Sequence, residues 1–217
     1  QSTYPDAFVY MIYLADSGIW FGASPEPFFQ VKNGVASTVS LAGTRLFKPN
    51  TTNQAWEEKE TEEQEIVTDY IEELLNDFDI VVYTKQGPTT TRAGAVEHLL
   101  TKFSFKFSSI AHRLVEFLDS LHPTPSVCGL PKDLAFGIIR RVEKHSREYY
   151  TGFLGLFNVD NEYNLFVNLR CLREYEDKLI YFLGAGITVL SDPEKEWDET
   201  HSKKRTLMNI VESLKTQ

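Results

Sequence analysis

The segment SDPEKEWDETHSK, residues Ser191–Lys203, carries the signals of a helix N-terminus. Ser191 or Asp192 can cap the first turn. Pro193 suits the first helical position, because its φ angle is already helical and an N–H is not needed there. We therefore predict a helix with Pro193 in its first turn.

Charged residues of this helix fall on one face. Glu196, Glu199 and Lys203 are spaced i, i+3 and i+7, so they line up along the helix. The same face continues with the aliphatic residues Leu207, Ile210 and Leu214. An acid that points toward an interior is costly unless it is paired, and a divalent cation is a common partner. The alternative is a solvated first turn, since acids favour helix N-termini, and from this helix alone the alternative is the simpler interpretation.

A second acidic helix is predicted over Trp56–Asn76. Its apolar face has helical spacing and includes one acid: Trp56, Glu63, Ile66, Val67, Tyr70, Ile71 and Leu74. Glu60 lies three residues before Glu63, at the edge of that face. Two helices that each present acids at i and i+3 on an inward face have the geometry of a carboxylate-lined cation site, which we favour. The alternative is that the Trp56 end of the helix emerges into solvent.

Composition limits the classes of function. The chain has 217 residues, a formal net charge of −9 and 42% hydrophobic residues, which suits one large domain or two small ones. An acidic chain without a basic run argues against nucleic acid as a partner, and no apolar run is long enough to span a membrane. The 2 cysteines, Cys128 and Cys171, do not resemble a disulfide framework and indicate a cytoplasmic protein. Because the sequence starts at Gln1 without a methionine or signal peptide, we expect it to be part of a longer protein.

Much of the remaining chain is predicted to form strands. Ala7–Leu14 is apolar and β-branched, which predicts a buried strand in a hairpin with Ile19–Gly22. Phe28–Val31 and Val35–Leu41 form a second hairpin about an Asn-Gly turn, after which Gly43-Thr44 is expected to leave the sheet. Further strands are predicted over Ile80–Thr84, Val96–Phe107, Gly152–Asn158, Leu165–Leu172 and Leu179–Leu190, further helices over Ser109–Leu121 and Lys132–Arg147, and loops over Gly87–Gly94 and Leu121–Pro131.

Four polar features of these segments need interpretation. Gly43-Thr44 can offer an N–H and a hydroxyl to an anion, or be an ordinary strand-ending turn. Arg170 is a lone cation in an apolar strand and needs an acidic partner from the protein or a ligand. Gly184-Ala185-Gly186 interrupts a strand, which lets another backbone or a ligand come close. His98 alternates in phase with the lysines of its strand, so the alternation predicts a surface or strand-end histidine.

In order along the chain, eight segments resemble the chorismate-utilising enzymes, and within them the isochorismate synthases. The segments are FGASPE (Phe21–Glu26), LAGTR (Leu41–Arg45), EKETEEQEIV (Glu58–Val67), LHPTPSVCGLP (Leu121–Pro131), EKHSREYYTGFLG (Glu143–Gly155), NLRCL (Asn168–Leu172), GAGI (Gly184–Ile187) and SDPEKEWDETHSK (Ser191–Lys203). The resemblance implies an α+β fold of stacked, largely antiparallel sheets with helices outside. It implies one chorismate-binding catalytic domain over residues 1–217 that lacks the family's N-terminal region.

The resemblance also implies which residues form the site. The implied cofactor is Mg²⁺, which would hold the ring carboxylate of chorismate. Its implied ligands are Glu63 and Glu199, supported through water by Glu60 and Glu196. The implied substrate contacts are Gly43 and Thr44 near that carboxylate, and Tyr150, Arg170, Gly184 and Lys203 around the enolpyruvyl carboxylate.

The implied reaction adds water at C2 of chorismate and expels the C4 hydroxyl. Hydroxide is a poor leaving group, so a carboxylic acid must protonate it, and Glu26 matches the general acid of the family. His98 matches the family's histidine beside the ring, which replaces the surface interpretation. The family's water-activating base is a lysine on a strand before the FGASPE segment, and this sequence begins after it. We therefore expect this chain to bind Mg²⁺, and chorismate weakly, with little or no turnover.

Several alternatives stay open. Ala42 differs from the lysine that the resemblance gives aminodeoxychorismate synthases, and the His-Pro-Thr-Pro loop is unlike that of anthranilate synthases, whereas salicylate synthases share much of the site. A binding module without chemistry and a structural domain with solvated acids are further hypotheses. Glu62 and Gln64 stand where histidines often flank the metal-binding glutamate. We expect a cytoplasmic monomer or weak homodimer whose product feeds menaquinone or siderophore synthesis.

Overall fold

A computed structural model describes residues 7–49, 54–93 and 96–215, which form two antiparallel sheets and four α-helices. The strands are β1 (Phe8–Leu14), β2 (Gly18–Ser24), β3 (Pro27–Lys32), β4 (Val35–Leu46), β5 (Tyr83–Ala93), β6 (Val96–Lys106), β7 (Phe153–Val159), β8 (Glu162–Val167), β9 (Cys171–Tyr175) and β10 (Lys178–Phe182). The helices are α1 (Glu58–Asp77), α2 (Leu114–Leu121), α3 (Lys132–Val142) and α4 (Pro193–Lys215). One sheet has the order β1-β2-β9-β10 and the other β5-β6-β4-β3-β8-β7, which confirms the α+β prediction.

The helix predicted from Ser191–Lys203 forms as α4 and begins at Pro193. The Asp192 carboxylate accepts the backbone N–H groups of Glu194 and Lys195 at 2.9 and 3.1 Å, as an N-cap residue does. Leu207 on the predicted face is buried, whereas the side chains of Ile210 and Leu214 lie outside the described part of the chain.

Both predicted hairpins form, with β1 paired to β2 and β3 to β4. The prediction of a buried first strand is wrong, because β1 lies at the edge of its sheet and Met11 is 72% exposed. The prediction that Gly43-Thr44 leaves the sheet is also wrong. β4 continues to Leu46 through a bulge at Gly43, where the register against β6 shifts.

The chain crosses between the sheets at two places, Pro25–Glu26 and Asn168–Arg170. The single strand predicted over Leu165–Leu172 is therefore wrong, since β8 ends in the six-stranded sheet and β9 begins in the four-stranded one. The two crossings lie side by side, because the N–H of Val167 donates to the carbonyl of Glu26 at 3.0 Å and the N–H of Ala23 donates to that of Arg170 at 3.3 Å.

Several predicted boundaries differ from the structure. The loop predicted over Gly87–Gly94 belongs to β5 as far as Ala93, because its β-branched threonines pair with β6, and Gly94 lies outside the described residues. The last predicted strand ends at Phe182. Gly184-Ala185-Gly186 therefore follows β10, and the prediction that it interrupts a strand is wrong. Other differences are a start of α1 at Glu58, which leaves Trp56 outside the helix, a strand start at Tyr83 in place of Ile80, two 3₁₀ turns before α2, and an α3 that ends at Val142 in place of Arg147.

The main core lies between the six-stranded sheet and helices α1 and α2. Its fully buried side chains include Phe29, Ile71, Leu75, Phe103 and Phe117. Ile66 was predicted on the apolar face of α1 but is 37% exposed. Within the described residues, no helix combines the length and the apolar character needed to cross a membrane.

Candidate active site

The two crossings place Glu26 and Arg170 beside each other at the junction of the sheets. Glu26 is 4% exposed and Arg170 is 8% exposed. Arg170 takes a left-handed backbone conformation with φ of 48°, so its side chain leaves the turn between β8 and β9 instead of a strand face. The apolar strand that seemed to bury a lone cation is therefore two strands, with the arginine at their junction.

Burial raises the pKa of the Glu26 carboxyl to about 7. Three groups act against this rise: a hydrogen bond from Ser126 Oγ to Glu26 Oε1 at 3.3 Å, and the positive charges of Lys203 and Arg170. The carboxyl consequently keeps a proton to a much higher pH than an exposed glutamate does.

His98 is buried, so the surface position predicted from the alternation is wrong, whereas the histidine does lie near the start of β6. β6 lies between β4 and β5, and near its start His98 and the adjacent Leu99 are both buried, so strand phase does not report exposure there. His98 Nδ1 lies 3.3 Å from the carbonyl of Gly43 and 3.1 Å from Thr44 Oγ1, and Nε2 lies 3.3 Å from Arg170 Nη2. A proton on Nδ1 satisfies the carbonyl and leaves Nε2 as an acceptor for Arg170.

The His98 imidazole is neutral at ordinary pH. Burial, followed by the positive charges of Arg170 and Lys203, lowers its pKa to about 3. A neutral imidazole between a carbonyl and a guanidinium orients both groups without adding a charge to the cavity.

Gly43 is required by the bulge in β4. Its φ is +66°, and an added Cβ would lie 2.7 Å from the carbonyl oxygen of Glu60 on α1. Glycine therefore lets the backbone of β4 approach the first turn of the acidic helix. This contact fixes α1 against the strand that carries Thr44.

The acids of α1 and α4 converge, as the sequence predicts. Glu63 and Glu199 line the same cavity as Glu26 and His98. Burial, together with the negative charges of Glu199 and Glu196, raises the pKa of Glu63 against the lowering effect of Lys59 and Lys203.

Lysines hold two of these acids. Lys59 Nζ lies 2.5 Å from Glu196 Oε1, and Lys203 Nζ lies 2.6 Å from Glu199 Oε1. Glu60 does not line the cavity of Glu63 but a neighbouring one, together with Glu196 and Glu199. Within residues 7–49, 54–93 and 96–215, no three His, Cys, Asp or Glu side chains lie close enough together to form a metal site as they stand.

The donor chemistry nevertheless fits a hard divalent cation, because carboxylate oxygens are the protein ligands that such ions prefer. Two of the four carboxylates implied for the cation, Glu196 and Glu199, face the ammonium groups of Lys59 and Lys203, and the charges of both lysines also act on Glu63.

The remaining predicted contacts lie at the α4 end of the cavity. Tyr150 and Gly184 line it, and an added Cβ on Gly184 would lie 2.8 Å from the Tyr150 hydroxyl. Lys203 Nζ donates to the carbonyl of Gly184 at 3.0 Å. Nine of the predicted site residues therefore line one cavity: Glu26, Thr44, Glu63, His98, Tyr150, Arg170, Gly184, Glu199 and Lys203.

Sequence reasoning missed two groups with clear positions at the site. Lys59 was not singled out, although a lysine four residues before Glu63 on an acidic helix is a possible signal. Ser126 was included only as part of a proline-rich loop, and no sequence signal connects it to Glu26. Both contacts join segments that are distant in the chain.

Comparison with known proteins shows which family this chain is similar to. The profile of the family described as chorismate binding enzyme matches residues 1–209. Isochorismate synthase EntC of Escherichia coli is 30% identical over 213 residues, which cover 95% of this chain and 54% of EntC. A crystal structure described as the putative 2,3-dihydroxybenzoate-specific isochorismate synthase DhbC of Bacillus anthracis matches with a TM-score of 0.80 and 25% identity, over 94% of this chain and 57% of that one.

Anthranilate synthase component I of Streptococcus pneumoniae shares the fold, with a TM-score of 0.76 and 22% identity over 93% of this chain and 46% of that one. The chain thus spans about half the length of the proteins it matches. Because the family profile covers nearly all of its residues, this chain belongs to the chorismate binding enzyme family.

Proposed function

We propose that this chain is the catalytic domain of an isochorismate synthase, which converts chorismate to isochorismate with Mg²⁺ as cofactor. The observation that carries the proposal is the Glu26 carboxyl, which is buried, has a pKa raised to about 7 and lines the same cavity as Arg170 and Lys203. A buried acid that keeps its proton near neutral pH, beside two cations, suits protonation of a leaving group on an anionic substrate.

Chorismate carries two carboxylates, and the proposed contacts divide between them. Arg170, Lys203 and Tyr150 bind the enolpyruvyl carboxylate, since the guanidinium offers a planar fork of donors. The Gly43 bulge and the Thr44 hydroxyl lie on the side of the ring carboxylate. The neutral His98 holds the Arg170 guanidinium through Nε2 and so helps to orient it.

Glu63 and Glu199 would hold Mg²⁺, with Glu60 and Glu196 supporting it through water. The raised pKa of Glu63 supports this assignment, because burial and the neighbouring carboxylates of Glu199 and Glu196 disfavour its charge, which a bound cation would offset. The chemistry that Mg²⁺ supplies when bound is electrostatic stabilisation of the ring carboxylate and of charge shifting through the conjugated ring.

In the proposed reaction a bond forms between a water oxygen and C2, the ring double bonds shift, and the C4–O bond breaks. Glu26 gives its proton to the departing C4 hydroxyl, which leaves as water. The attacking water gives a proton to a base, and the resemblance assigns that base to a lysine outside residues 1–217. The product would feed menaquinone or siderophore synthesis.

Product analysis tests this proposal, with Glu26→Gln as the variant. We expect the full-length protein to form isochorismate from chorismate and Mg²⁺, with or without ammonia, and residues 1–217 to bind chorismate weakly with little turnover. Glu26→Gln should lower kcat by about 10²–10⁴-fold, because the variant cannot donate a proton, and should change the chorismate Kd by no more than about threefold.

The other outcomes identify the alternatives. Salicylate, or anthranilate formed only with ammonia, would assign the chain to another branch of the family. Chorismate binding without turnover by the full-length protein would make it a binding module. A Glu26→Gln variant with wild-type kcat would remove Glu26 from the reaction.

A further inference from the structure

We propose that Gln64 is a positioning residue that ties the acidic helix α1 to the bulge of β4, and so fixes Glu63 relative to Thr44. The reason for fixing this separation rests on the proposed function, in which the two residues hold the cation and the substrate. The attachment itself rests on contacts of the described residues.

The Gln64 side chain is 2% exposed and uses both ends of its amide. Oε1 accepts the N–H of Ala42 at 2.9 Å. Nε2 donates to Ser40 Oγ at 2.8 Å, to the Ser40 carbonyl at 3.2 Å and to Thr101 Oγ1 at 3.1 Å. The Ser40 hydroxyl in turn lies 2.8 Å from Thr68 Oγ1 on α1. Loss of the amide would leave several buried polar groups without partners, which is costly in a low-dielectric interior.

The backbone partners of Gln64 lie where β4 has only one neighbouring strand. β3 pairs with β4 only as far as Ser37, so among the described strands β6 alone pairs with the Ser40–Ala42 section. The carbonyl of one residue and the N–H of the second residue after it point to the same side of a strand. The amide of Gln64 therefore bonds to β4 in the way that a peptide group of another strand would.

This attachment lies one residue before the Gly43 bulge. Past the bulge, Thr44 Oγ1 and the Gly43 carbonyl lie 3.1 and 3.3 Å from His98 Nδ1. On the helix side, Glu63 directly precedes Gln64. One side chain thus sets both the rotation of the helix that carries Glu63 and the backbone that presents Thr44.

The test compares Gln64→Met with Thr68→Val. Methionine keeps the length of the side chain without its amide, whereas Thr68→Val removes the outer hydroxyl of the same network and leaves the bonds to β4 intact. Both variants should lower the Tm. Only Gln64→Met should weaken binding of Mg²⁺ and of chorismate, measured by calorimetry, by about tenfold or more, because misplacement of about 1 Å is costly at such a site.

A second readout needs no ligand. The ¹⁵N resonances of the His98 ring report on its contacts with Gly43 and Thr44, and we expect them to shift in Gln64→Met but not in Thr68→Val. If both variants lose Tm while the His98 resonances and both affinities match the wild type, Gln64 is only structural and the inference is overturned.

Failure of the proposed function, or failure of Gln64→Met to fold, can be told apart from failure of this inference. If the wild-type full-length protein neither binds nor converts chorismate, the proposed function fails, and the His98 resonances still decide the role of Gln64. If Gln64→Met does not fold, Gln64→Glu replaces it, because a carboxyl keeps an acceptor for Ala42. That carboxyl loses the donor for Ser40 and Thr101, so the His98 resonances of this variant should shift, and resonances that match the wild type would overturn the inference.

Discussion

The two ends of the cavity hold their charged groups in different ways. At the crossing end, formed by Glu26, His98 and Arg170, the side chains come from strands and from the turns between the two sheets. At the helix end, formed by Glu63, Glu199 and Lys203 together with Lys59 and Glu196 of the neighbouring cavity, they come from α1 and α4 and include two lysine–glutamate ion pairs.

At the crossing end the backbone holds the charged groups in place, whereas at the helix end flexible side chains hold one another. At the crossing end, backbone hydrogen bonds between the turns set the positions, and burial sets the proton affinities of Glu26 and His98. At the helix end, long side chains pair with one another, and under the proposed function their carboxylates would be released to Mg²⁺. A site for proton transfer benefits from fixed geometry, whereas a site for a cation needs carboxylates that can be released.

Gly43→Ala should have the largest effect, because Gly43 lies where β4 contacts α1, between the two ends of the cavity. The backbone there is left-handed and an added Cβ would meet the Glu60 carbonyl at 2.7 Å. We expect the free energy of unfolding in urea to fall by about 2–3 kcal/mol, and chorismate binding to be lost. The control is Gly137→Ala in α3, where an added Cβ meets nothing within 4 Å, and it should stabilise the protein by up to about 1 kcal/mol. Equal stability of the two variants would contradict the fixed junction.

Lys59→Met should have a smaller effect that depends on cations. The Lys59 and Glu196 side chains are 17% and 6% exposed, so the substitution leaves a buried carboxylate unpaired. Without divalent ions we expect a loss of roughly 2 kcal/mol in the free energy of unfolding. Mg²⁺ should raise the Tm of this variant more than that of the wild type, because the ion returns positive charge to the helix end.

Lys85→Met is the matched control for this prediction. The Lys85–Glu72 pair has a similar length, 2.7 Å, but its side chains are 38% and 31% exposed. Loss of this pair should lower the free energy of unfolding by less than about 1 kcal/mol. Mg²⁺ should raise the Tm of this variant no more than it raises that of the wild type. A Lys59→Met variant that behaves like this control would show that the helix end is an ordinary solvated surface.

The sequence predicted features that depend on local signals. The Asn-Gly turn after β3, the cap of α4 at Asp192 and the inward acids of α1 and α4 follow from residue type and spacing, and the structure has all of them. The resemblance to a family supplied the roles of Glu26 and His98, which local patterns did not.

Local sequence patterns did not predict features that depend on which strands and helices pair in the folded chain. The LFVNLRCL sequence has uninterrupted strand propensity, and only the sheet to which each half pairs shows that Arg170 lies at a crossing. Alternation assumes one covered face, so it misplaced His98, which lies near the start of β6 where the adjacent Leu99 is buried as well. The contact of Lys59 with Glu196 joins two helices at opposite ends of the chain and has no local signature.

The raised pKa of Glu26 also sets a pH dependence of stability. The group has a higher pKa in the folded chain, about 7, than the 4.5 of an unperturbed glutamate, so folding favours its protonated form. The resulting stabilisation is fully present below pH 4.5 and is lost as the pH rises through 7. The same protonated form is the one that can serve as the general acid.

The most direct test is whether Glu26 is protonated at neutral pH in the ligand-free protein. Its carboxyl can be titrated by ¹³C NMR, with Glu26→Gln to assign the resonance. We expect the Glu26 carboxyl to titrate with a midpoint near 7. A midpoint near 4.5, the value for an unperturbed glutamate, would mean that the carboxyl is ionised at neutral pH and has no proton to give.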